Sequence, residues 1–395
     1  MKIKHPFIYT LTLSLLTAAL TCVIIAGTIG RRLGLLNGRY DEMREYAALL
    51  DEISELYIGE YSEAELSAAA NAAAVAALGD RWSFYMTADE YASYLDSTGN
   101  RFTGIGVMAR IDEETGGMSV ESVYKGSPAE TGGIVAGDVI IAVDGKDIRG
   151  KEFKEMTALL SRPINDSVRL DVQRRDGTVD SLTVTYGVVF IDPVSYEMLE
   201  GNIAYVMLAN FETGSANGFI NAVDKLTADG ATSLIFDVRC NGGGRVSEMT
   251  RILDYLLPEG EIFIGVDRSG TEEITLSNAN MIDLPCVVLV DRYSFSAAEY
   301  FAATLMEYNY ALIVGEQTTG KDRSQITVTL PSGGALHISS GKFLTKNRVS
   351  LYETGGLTPD YQIALTDDEL TQLLSGELTL AKDPQLQKAV ELLRE

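Results

Sequence analysis

Residues that hold zinc or form disulfides are scarce in this sequence. It contains only two histidines, His5 and His337, and neither a C-x-x-C pair nor an H-E-x-x-H motif occurs. Zinc sites are built mainly from cysteine and histidine at such short spacings, so we expect no metal and no other cofactor. The three cysteines, Cys22, Cys240 and Cys286, lie in or beside apolar runs, and no disulfide framework is expected.

Basic residues are also few. The chain has 32 Lys and Arg against 56 Asp and Glu, a formal net charge of −24. A nucleic-acid partner would require basic stripes that so few cations do not form, so this class of partner is excluded. With 46% hydrophobic residues, the composition is that of a folded protein. The length of 395 residues predicts two or three domains plus a targeting segment.

Charged residues are missing from one long N-terminal run. None lies between Lys4 and Arg31, and the apolar stretch 7–29 is long enough to span a bilayer. A signal peptide would have a shorter apolar run and a small-residue cleavage site, so an uncleaved anchor is the favoured interpretation. Basic residues flank both ends of the run and leave its orientation open.

Three patterns follow this run. Apolar residues at helical spacing predict helices between residues 40 and 78. Between residues 102 and 186, short runs broken by glycine predict a compact β-rich domain. After residue 203, apolar runs alternate with helical patterns, which predicts an α/β core with buried, largely parallel strands.

Ser296 follows one of these buried strands, in the segment D-R-Y-S-F-S-A-A-E-Y. A serine on such a strand-to-helix turn can present its hydroxyl to a substrate, and the helix N-terminus can stabilise an oxyanion. The same residues also fit a helix cap, in which Ser296 and Glu299 form an S-x-x-E capping box. This segment alone leaves both interpretations open.

Lys321 lies in a turn-rich segment, G-E-Q-T-T-G-K-D-R-S-Q. Burial disfavours the ammonium form of a lysine, which can then serve as the base for a serine hydroxyl. If this stretch is extended, Gln325 shares a face with Lys321 and can orient its amine. A lysine in a glycine-rich loop is otherwise usually an exposed surface residue.

Three glycines end the segment D-V-R-C-N-G-G-G, residues 237–244. Glycines between a strand and a helix let backbone N–H groups approach a reacting carbonyl closely, as an oxyanion site requires. A plain tight turn or a phosphate-binding loop would look similar, although no Lys-Ser/Thr pair follows, as a nucleotide loop needs.

Together these segments resemble the C-terminal processing peptidases, or tail-specific proteases, in order and in spacing. Ser296 and Lys321 are 25 residues apart, as in that family. Residues 126–145 resemble the centre of the family's PDZ domain, and residues 355–363 resemble the end of its protease core.

The resemblance implies a role for each matching residue. Ser296 would be the nucleophile, Lys321 the general base and Gln325 the residue that orients the base. The other implied positions are the oxyanion donors Gly243 and Ala297, the supporting residue Glu299, and the PDZ peptide-binding loop Gly104, Ile105 and Gly106.

The implied fold class is multidomain α/β, with a membrane anchor helix, a helical cap region, a β-rich PDZ domain and an α/β protease core of the ClpP/crotonase type. The expected boundaries are 1–34 for a cytoplasmic tip and anchor, 35–101 for a helical region, 102–186 for the PDZ domain, 187–365 for the protease core and 366–395 for a helical cap. The family works outside the cytoplasm, which implies a single-pass protein of the cell membrane with an extracytoplasmic catalytic domain. The implied partners are proteins or peptides with apolar C-termini, and self-association is left open.

Four positions depart from the family pattern. Gly242 replaces the usual Pro, Cys240 the usual Asn, Ala298 the usual Ser, and Asp322 the Gly that commonly follows the lysine. A carboxylate beside Lys321 would raise the pKa of the amine, the wrong direction for a base, unless it faces away. A catalytically silent PDZ scaffold is therefore the main alternative. A Ser-His-Asp hydrolase ranks last, because His337 is its only candidate imidazole and no G-x-S-x-G elbow occurs.

Overall fold

The computed structural model describes residues 14, 17–27, 30, 39–278 and 281–394. Two compact units divide the chain, 1–70 and 71–395. About half of the predicted anchor lies outside the described residues, and residues 17–27 are helical. Within the described ranges, no helix combines the length and apolar character needed to cross a bilayer.

The elements are numbered here in chain order. The helices are α1 (Tyr40–Leu56), α2 (Glu63–Ala76), α3 (Ala88–Ser97), α4 (Pro128–Thr131), α5 (Phe153–Leu159), α6 (Ser215–Ala228), α7 (Val246–Leu256), α8 (Ala297–Glu307), α9 (Asp367–Ser375) and α10 (Pro384–Arg394). The strands are β1 (Phe84–Met86), β2 (Arg101–Gly104), β3 (Val107–Ile111), β4 (Met118–Val123), β5 (Val139–Val143), β6 (Lys146–Asp147), β7 (Ser167–Gln173), β8 (Val179–Thr185), β9 (Gly187–Phe190), β10 (Val194–Leu199), β11 (Ile203–Leu208), β12 (Ser233–Asp237), β13 (Gly260–Asp267), β14 (Glu272–Ser277), β15 (Cys286–Val290), β16 (Ala311–Gly315), β17 (Arg323–Thr329), β18 (Ala335–Leu344) and β19 (Tyr361–Gln362).

Helix α1 lies in the first unit, and neither α1 nor α2 has a buried residue. Asp41 and Glu42 stand in the first turn of α1, where negative charge complements the positive end of the helix dipole. Both helices fall within the stretch for which the sequence predicts helices.

An antiparallel sheet with strand order β3-β4-β5-β7-β8 makes up the β-rich region, and β6 pairs with β5. Alternate residues of β7, Val168, Leu170 and Val172, are buried, because successive side chains of a strand point to opposite faces. Strand β3 is at the edge of this sheet. A second chain can therefore pair with its outer side.

A second sheet forms the α/β core, with strand order β10-β11-β12-β15-β16-β19. Strands β11, β12, β15, β16 and β19 run parallel. Every residue of β12 and β15 is buried, since helices cover both faces, and this agrees with the continuous apolar runs in the sequence. The carboxyl ends of β12 and β15 meet at one edge, so the segments that follow them lie together.

A third sheet has strand order β1-β18-β13-β14, with β17 paired to β18. Phe84 of β1 pairs with His337 of β18, which fixes the chain before the β-rich region onto this third sheet. The C-terminal region is also tied to the core. Arg239 forms buried ion pairs with Asp237 at 2.6 Å and with Asp383, at the start of α10, at 2.8 Å.

Candidate active site

Ser296 ends the turn between strand β15 and helix α8. Its φ of 57° and ψ of −125° form a combination that is uncommon for a residue other than glycine and is retained only where the surrounding structure enforces it. The residue is 6% exposed and lines a cavity of about 600 Å³. The strained turn therefore puts Ser296 at the wall of that cavity.

Glu299 holds the Ser296 turn and the Lys321 loop together. Its buried carboxylate accepts from Ser296 N–H at 2.9 Å and from Lys321 N–H at 2.9 Å. It also accepts from Gly320 N–H and from the Thr318 hydroxyl, each at 2.5 Å. Burial raises the pKa of Glu299, although these hydrogen bonds act to lower it. The capping spacing in the sequence predicts the contact to Ser296 but gives no sign of the contacts to the second loop.

The Lys321 side chain is largely withdrawn from water. Its Nζ lies 4.3 Å from the ring centroid of Trp82 and 5.8 Å from that of Phe295. Burial and then the Arg81 charge lower the pKa of Lys321 to about 8, and the Asp80 and Glu299 carboxylates oppose them. An amine with this pKa is partly neutral at pH 7 to 8, as a general base requires.

Asp322 does not have the effect on Lys321 that the sequence suggested. Its buried carboxylate accepts from the Ser350 hydroxyl at 2.6 Å and lies 3.7 Å from Arg323 Nε. The groups that shift the Lys321 pKa are the ones named above, and Asp322 is not among them. The Lys321 pKa is lowered and not raised, because burial outweighs the nearby carboxylates and Asp322 is engaged elsewhere, which is the exception that the sequence left open.

Gln325 lines the same cavity as Ser296 and Lys321. Its Nε2 donates to Ser339 Oγ and to Arg323 O, each at 3.1 Å, and no hydrogen bond to Lys321 is found in the described ranges. Strand β17 begins only after Lys321, and the register of its pairing with β18 shifts next to Gln325. The extended alternation that would put both side chains on one face is therefore interrupted.

The glycine segment packs directly on the nucleophile turn. A Cβ on Gly243 would lie 2.9 Å from Ser296 Cβ and 2.9 Å from Ala297 N, so this position has no room for a side chain. Gly243 N–H, however, donates to Asn241 Oδ1 at 2.8 Å. In this conformation it is not available to an oxyanion, whereas Ala297 N–H has no acceptor among the described residues.

The cavity is also lined by His337, the only candidate imidazole for a Ser-His-Asp hydrolase. His337 Nδ1 forms a hydrogen bond with the Thr327 hydroxyl at 2.8 Å, and its ring packs at a tilt against Phe84 with centroids 4.7 Å apart. Burial and the nearby Lys321 lower the pKa of His337. The described residues contain no hydrogen bond from His337 to Ser296 or to a carboxylate, so a Ser-His-Asp arrangement is absent from them.

Comparison with known proteins decides the family. The sequence profile of peptidase family S41 matches residues 202–363, and that of the PDZ domain matches residues 119–174. The chain is 29% identical over 308 residues to the carboxy-terminal processing protease CtpA of Bacillus subtilis, covering 77% of this chain and 65% of that protein. It is 28% identical over 325 residues to the carboxyl-terminal-processing protease of a Synechocystis species, covering 81% and 75%. By these matches the chain has a serine peptidase region of family S41 and a PDZ domain, and it is similar to C-terminal processing proteases.

The fold agrees with that of a solved S41 protein. A Bacteroides fragilis protein assigned to the S41 proteases superposes with a TM-score of 0.53 at 18% identity, covering 80% of this chain and 87% of that chain. At this identity the likeness concerns the fold alone. The matched S41 region contains every protease-site residue that the sequence predicts.

The PDZ domain of this S41 peptidase carries the predicted peptide-binding loop between β2 and β3. Gly104, Ile105 and Gly106 are all buried, and Ile105 O accepts from Ala129 N–H at 2.7 Å. Gly106 has a φ of 85°, and a Cβ there would lie 2.3 Å from Ser127 Cβ. This close packing explains why glycine is needed at the position.

Other residues of this S41 site were not anticipated from the sequence. They line the cavity or contact Lys321, and they are Trp82, Tyr91, Tyr94, Glu212 and Arg245. Burial raises the pKa of Glu212 to about 7, although Arg245 Nε lies 3.3 Å from it. No motif in the sequence marked any of these five residues.

Proposed function

We propose that this S41 peptidase cleaves extracytoplasmic proteins with Ser296 as nucleophile and Lys321 as general base, after its PDZ domain has bound their C-terminal tails. The observation that carries the proposal is the double tether of Glu299. One buried carboxylate binds the backbone of both residues while their side chains line one cavity. Nucleophilic catalysis first requires that the nucleophile and its base be held near each other, and these contacts fix Ser296 and Lys321 at one cavity.

The chemical steps follow from these positions. Lys321 takes the proton from Ser296 Oγ, which attacks the carbonyl carbon of the scissile peptide. The tetrahedral oxyanion is stabilised by Ala297 N–H, joined by Gly243 N–H once Asn241 releases it. Lys321 then protonates the leaving amine, and a water molecule activated by the same amine hydrolyses the acyl-enzyme. Gln325 would have to leave Ser339 to orient Lys321.

Tail binding is supported by the open edge of the PDZ sheet. A peptide can add as a strand beside β3, with its carboxylate at the N–H groups of the Gly104–Gly106 loop. Helix α5 belongs to the same domain and covers its core through the buried Met156. Apolar tail residues are proposed because the family resemblance implies them.

The proposed cellular location rests on the sequence. The stretch 7–29 has no charged residue and is proposed as a single-pass anchor, with the catalytic domain outside the cytoplasm. Alkaline extraction of membranes tests the anchor, and protease digestion of intact cells tests the side. Release of the chain by alkaline extraction, or its protection from added protease, would contradict this location.

A silent tail-binding scaffold is the second candidate, and specific contacts favour it. No hydrogen bond joins Ser296 Oγ to Lys321 Nζ in the part of the chain that the structure describes, and Gly243 N–H is held by Asn241. Catalytic hydrogen bonds in substrate-free enzymes are often long and tighten on binding, so an active enzyme accommodates these contacts too.

The test uses the full chain and an unstructured protein that ends in apolar residues. Wild type should cleave it, and Ser296→Ala and Lys321→Ala should not, while all three bind the tail. Lys382→Ala, which changes an exposed lysine, is the matched control and should cleave like wild type. Tail binding without cleavage by wild type would replace the proposal with the scaffold.

A further inference from the structure

The single tryptophan of the chain lies against the candidate base. Lys321 Nζ is 4.3 Å from the ring centroid of Trp82, and the rings of Trp82 and Phe295 lie 5.6 Å apart. The face of an indole carries negative electrostatic potential and attracts a cation. The amine is therefore held over aromatic faces.

Carboxylates near this amine are engaged with other donors. Asp80 accepts from the Ser83 hydroxyl at 2.6 Å, and Glu299 accepts backbone N–H groups. Within the described ranges, no carboxylate forms an ion pair with Lys321. A buried carboxylate partner would hold the lysine firmly as an ammonium ion, whereas an aromatic face binds it more weakly. The aromatic face is thus the better support for a group that must lose its proton.

A second cation shares the indole. Arg81 Cζ lies 4.1 Å from the Trp82 ring centroid. After burial, the Arg81 charge is the largest cause that lowers the pKa of Lys321. Arg81 therefore opposes the ammonium form of its neighbour.

Other titratable groups face Lys321 from three elements. Asp80 lies in the same turn as Arg81, Glu299 lies in α8 and His337 lies in β18. The two carboxylates raise the Lys321 pKa, and His337 has its own pKa lowered by burial and Lys321. A change at Arg81 would alter one of these influences and leave the rest in place.

The turn that carries these residues is fixed onto the protease core. Ser339 N–H donates to Ser83 Oγ at 3.0 Å, and Trp82 N–H donates to Asp80 Oδ1 at 3.2 Å. Strand β1, which follows, pairs with β18. The turn precedes both matched family regions, so the base site uses a segment from outside them.

We propose that Trp82 and Arg81 are positioning residues of the active site: the indole holds the Lys321 amine by its ring face, and the guanidinium keeps a second positive charge beside it. This inference rests on the proposed role of Lys321 as base. It makes the segment before the PDZ domain a functional part of the protease.

Arg81 gives the sharpest test because it is exposed and its replacement should not disturb folding. In the full chain, Arg81→Gln should move the acid limb of the kcat/KM profile to higher pH. At pH 7 it should lower kcat/KM by about two- to ten-fold, with recovery at high pH. Arg81→Lys keeps the charge and should restore the wild-type profile. Arg268→Gln removes an exposed arginine from the turn between β13 and β14 and serves as the matched control.

A second measurement does not depend on cleavage. Acetic anhydride labels neutral amines, and mass spectrometry of the Lys321 peptide against pH reports the midpoint at which this lysine reacts. The midpoint should rise in Arg81→Gln and stay unchanged in Arg268→Gln. If Lys321→Ala still cleaves, the proposed base is wrong, and a labelling shift in Arg81→Gln would still support the Arg81 contact.

Trp82 is tested by a pair of replacements. Trp82→Leu removes the aromatic face and should lower kcat by about tenfold or more with little change in KM, because the indole holds the base and does not line the Ser296 cavity. Trp82→Phe retains an aromatic face and should recover most of kcat. The inference would be overturned if both Arg81→Gln and Trp82→Leu fold and have the pH midpoint, the labelling midpoint and the kcat of wild type.

Discussion

Two loops of the molecule gather backbone N–H groups, and they differ in what those groups bind. In the protease core the donors come from the nucleophile turn and the lysine loop, and the buried carboxylate of Glu299 accepts from both. In the PDZ domain, Ile105 N–H and Gly106 N–H have no acceptor within the described residues. The Glu299 carboxylate of the chain itself occupies the first loop, whereas the proposed ligand of the second loop is the carboxylate of another chain.

The first loop has a contact that is always present, whereas the second would have one only while a ligand is bound. A carboxylate that is covalently part of the chain holds the Ser296 turn and the Lys321 loop in register whether or not a ligand is present. A loop with unoccupied donors contributes only when a ligand arrives, so its effect depends on ligand concentration. Changes at Glu299 should therefore affect stability and catalysis together, whereas changes in the PDZ loop should affect binding.

The largest effect is expected for Glu299→Gln. An amide cannot accept from all of these donors, and it directs its own NH₂ at some of them. We expect the free energy of unfolding to fall by about 2–5 kcal/mol and kcat/KM to fall by about a hundredfold or more. Chemical denaturation and peptide cleavage measure the two effects. Glu353→Gln, at an exposed position, is the control, and a Glu299→Gln protein as active as wild type would show that the tether is dispensable.

Acidification should have the next largest effect. The Lys321 pKa is lowered to about 8, and only the neutral amine can take a proton from Ser296. Activity should therefore rise with pH through about 8, and each unit below that should reduce kcat/KM about tenfold.

Glu212 lies in the same cavity with a pKa raised to about 7, so its titration must be separated from that of Lys321. Glu212→Gln removes this titration and should keep the limb near pH 8. A midpoint near 7 that disappears in Glu212→Gln would assign the limb to Glu212.

Tail affinity should respond more modestly to the PDZ loop. Gly106→Ala brings a Cβ into Ser127 and forces the loop to shift, so the Kd of a peptide with a free C-terminus should rise by about tenfold. Fluorescence anisotropy measures this Kd, and an amidated peptide should bind weakly to both proteins. Gly177→Ala has the same kind of positive φ with nothing within 4 Å, so it controls for backbone strain alone. Equal affinities in Gly106→Ala and Gly177→Ala would place the tail elsewhere.

The sequence was most informative where chemistry depends on residues that follow strands. The α/β core and the PDZ domain are confirmed by the family comparison and the fold. Ser296 and Lys321 follow the parallel strands β15 and β16, whose carboxyl ends meet at one edge of the sheet, so both reach one cavity. Gln325 reaches the same cavity from β17 of the third sheet. Their catalytic roles stay predictions.

Long-range side-chain contacts could not be predicted in this way. Trp82 reaches Lys321 from more than two hundred positions earlier in the chain, and no periodic pattern links them. The bond from Gly243 N–H to Asn241 depends on a local rotamer, and the shift next to Gln325 depends on how β17 pairs with β18. Each of these is decided by packing in three dimensions, which a local motif does not specify.

The smallest effect is expected for Asp322, because its neighbour in the sequence is not the residue that its side chain contacts. It is adjacent to Lys321, yet its carboxylate bonds Ser350, and the amine is influenced instead by Asp80, Arg81 and Glu299. Asp322→Asn can still accept from Ser350, so kcat/KM at pH 7 should change by less than about threefold, and the acid limb should stay in place. A gain above tenfold, with the limb moved to lower pH, would mean that Asp322 does hold Lys321 in its ammonium form. The influence of Asp322 on Lys321 would then be set by their adjacency in the sequence and not by the contact of Asp322 with Ser350.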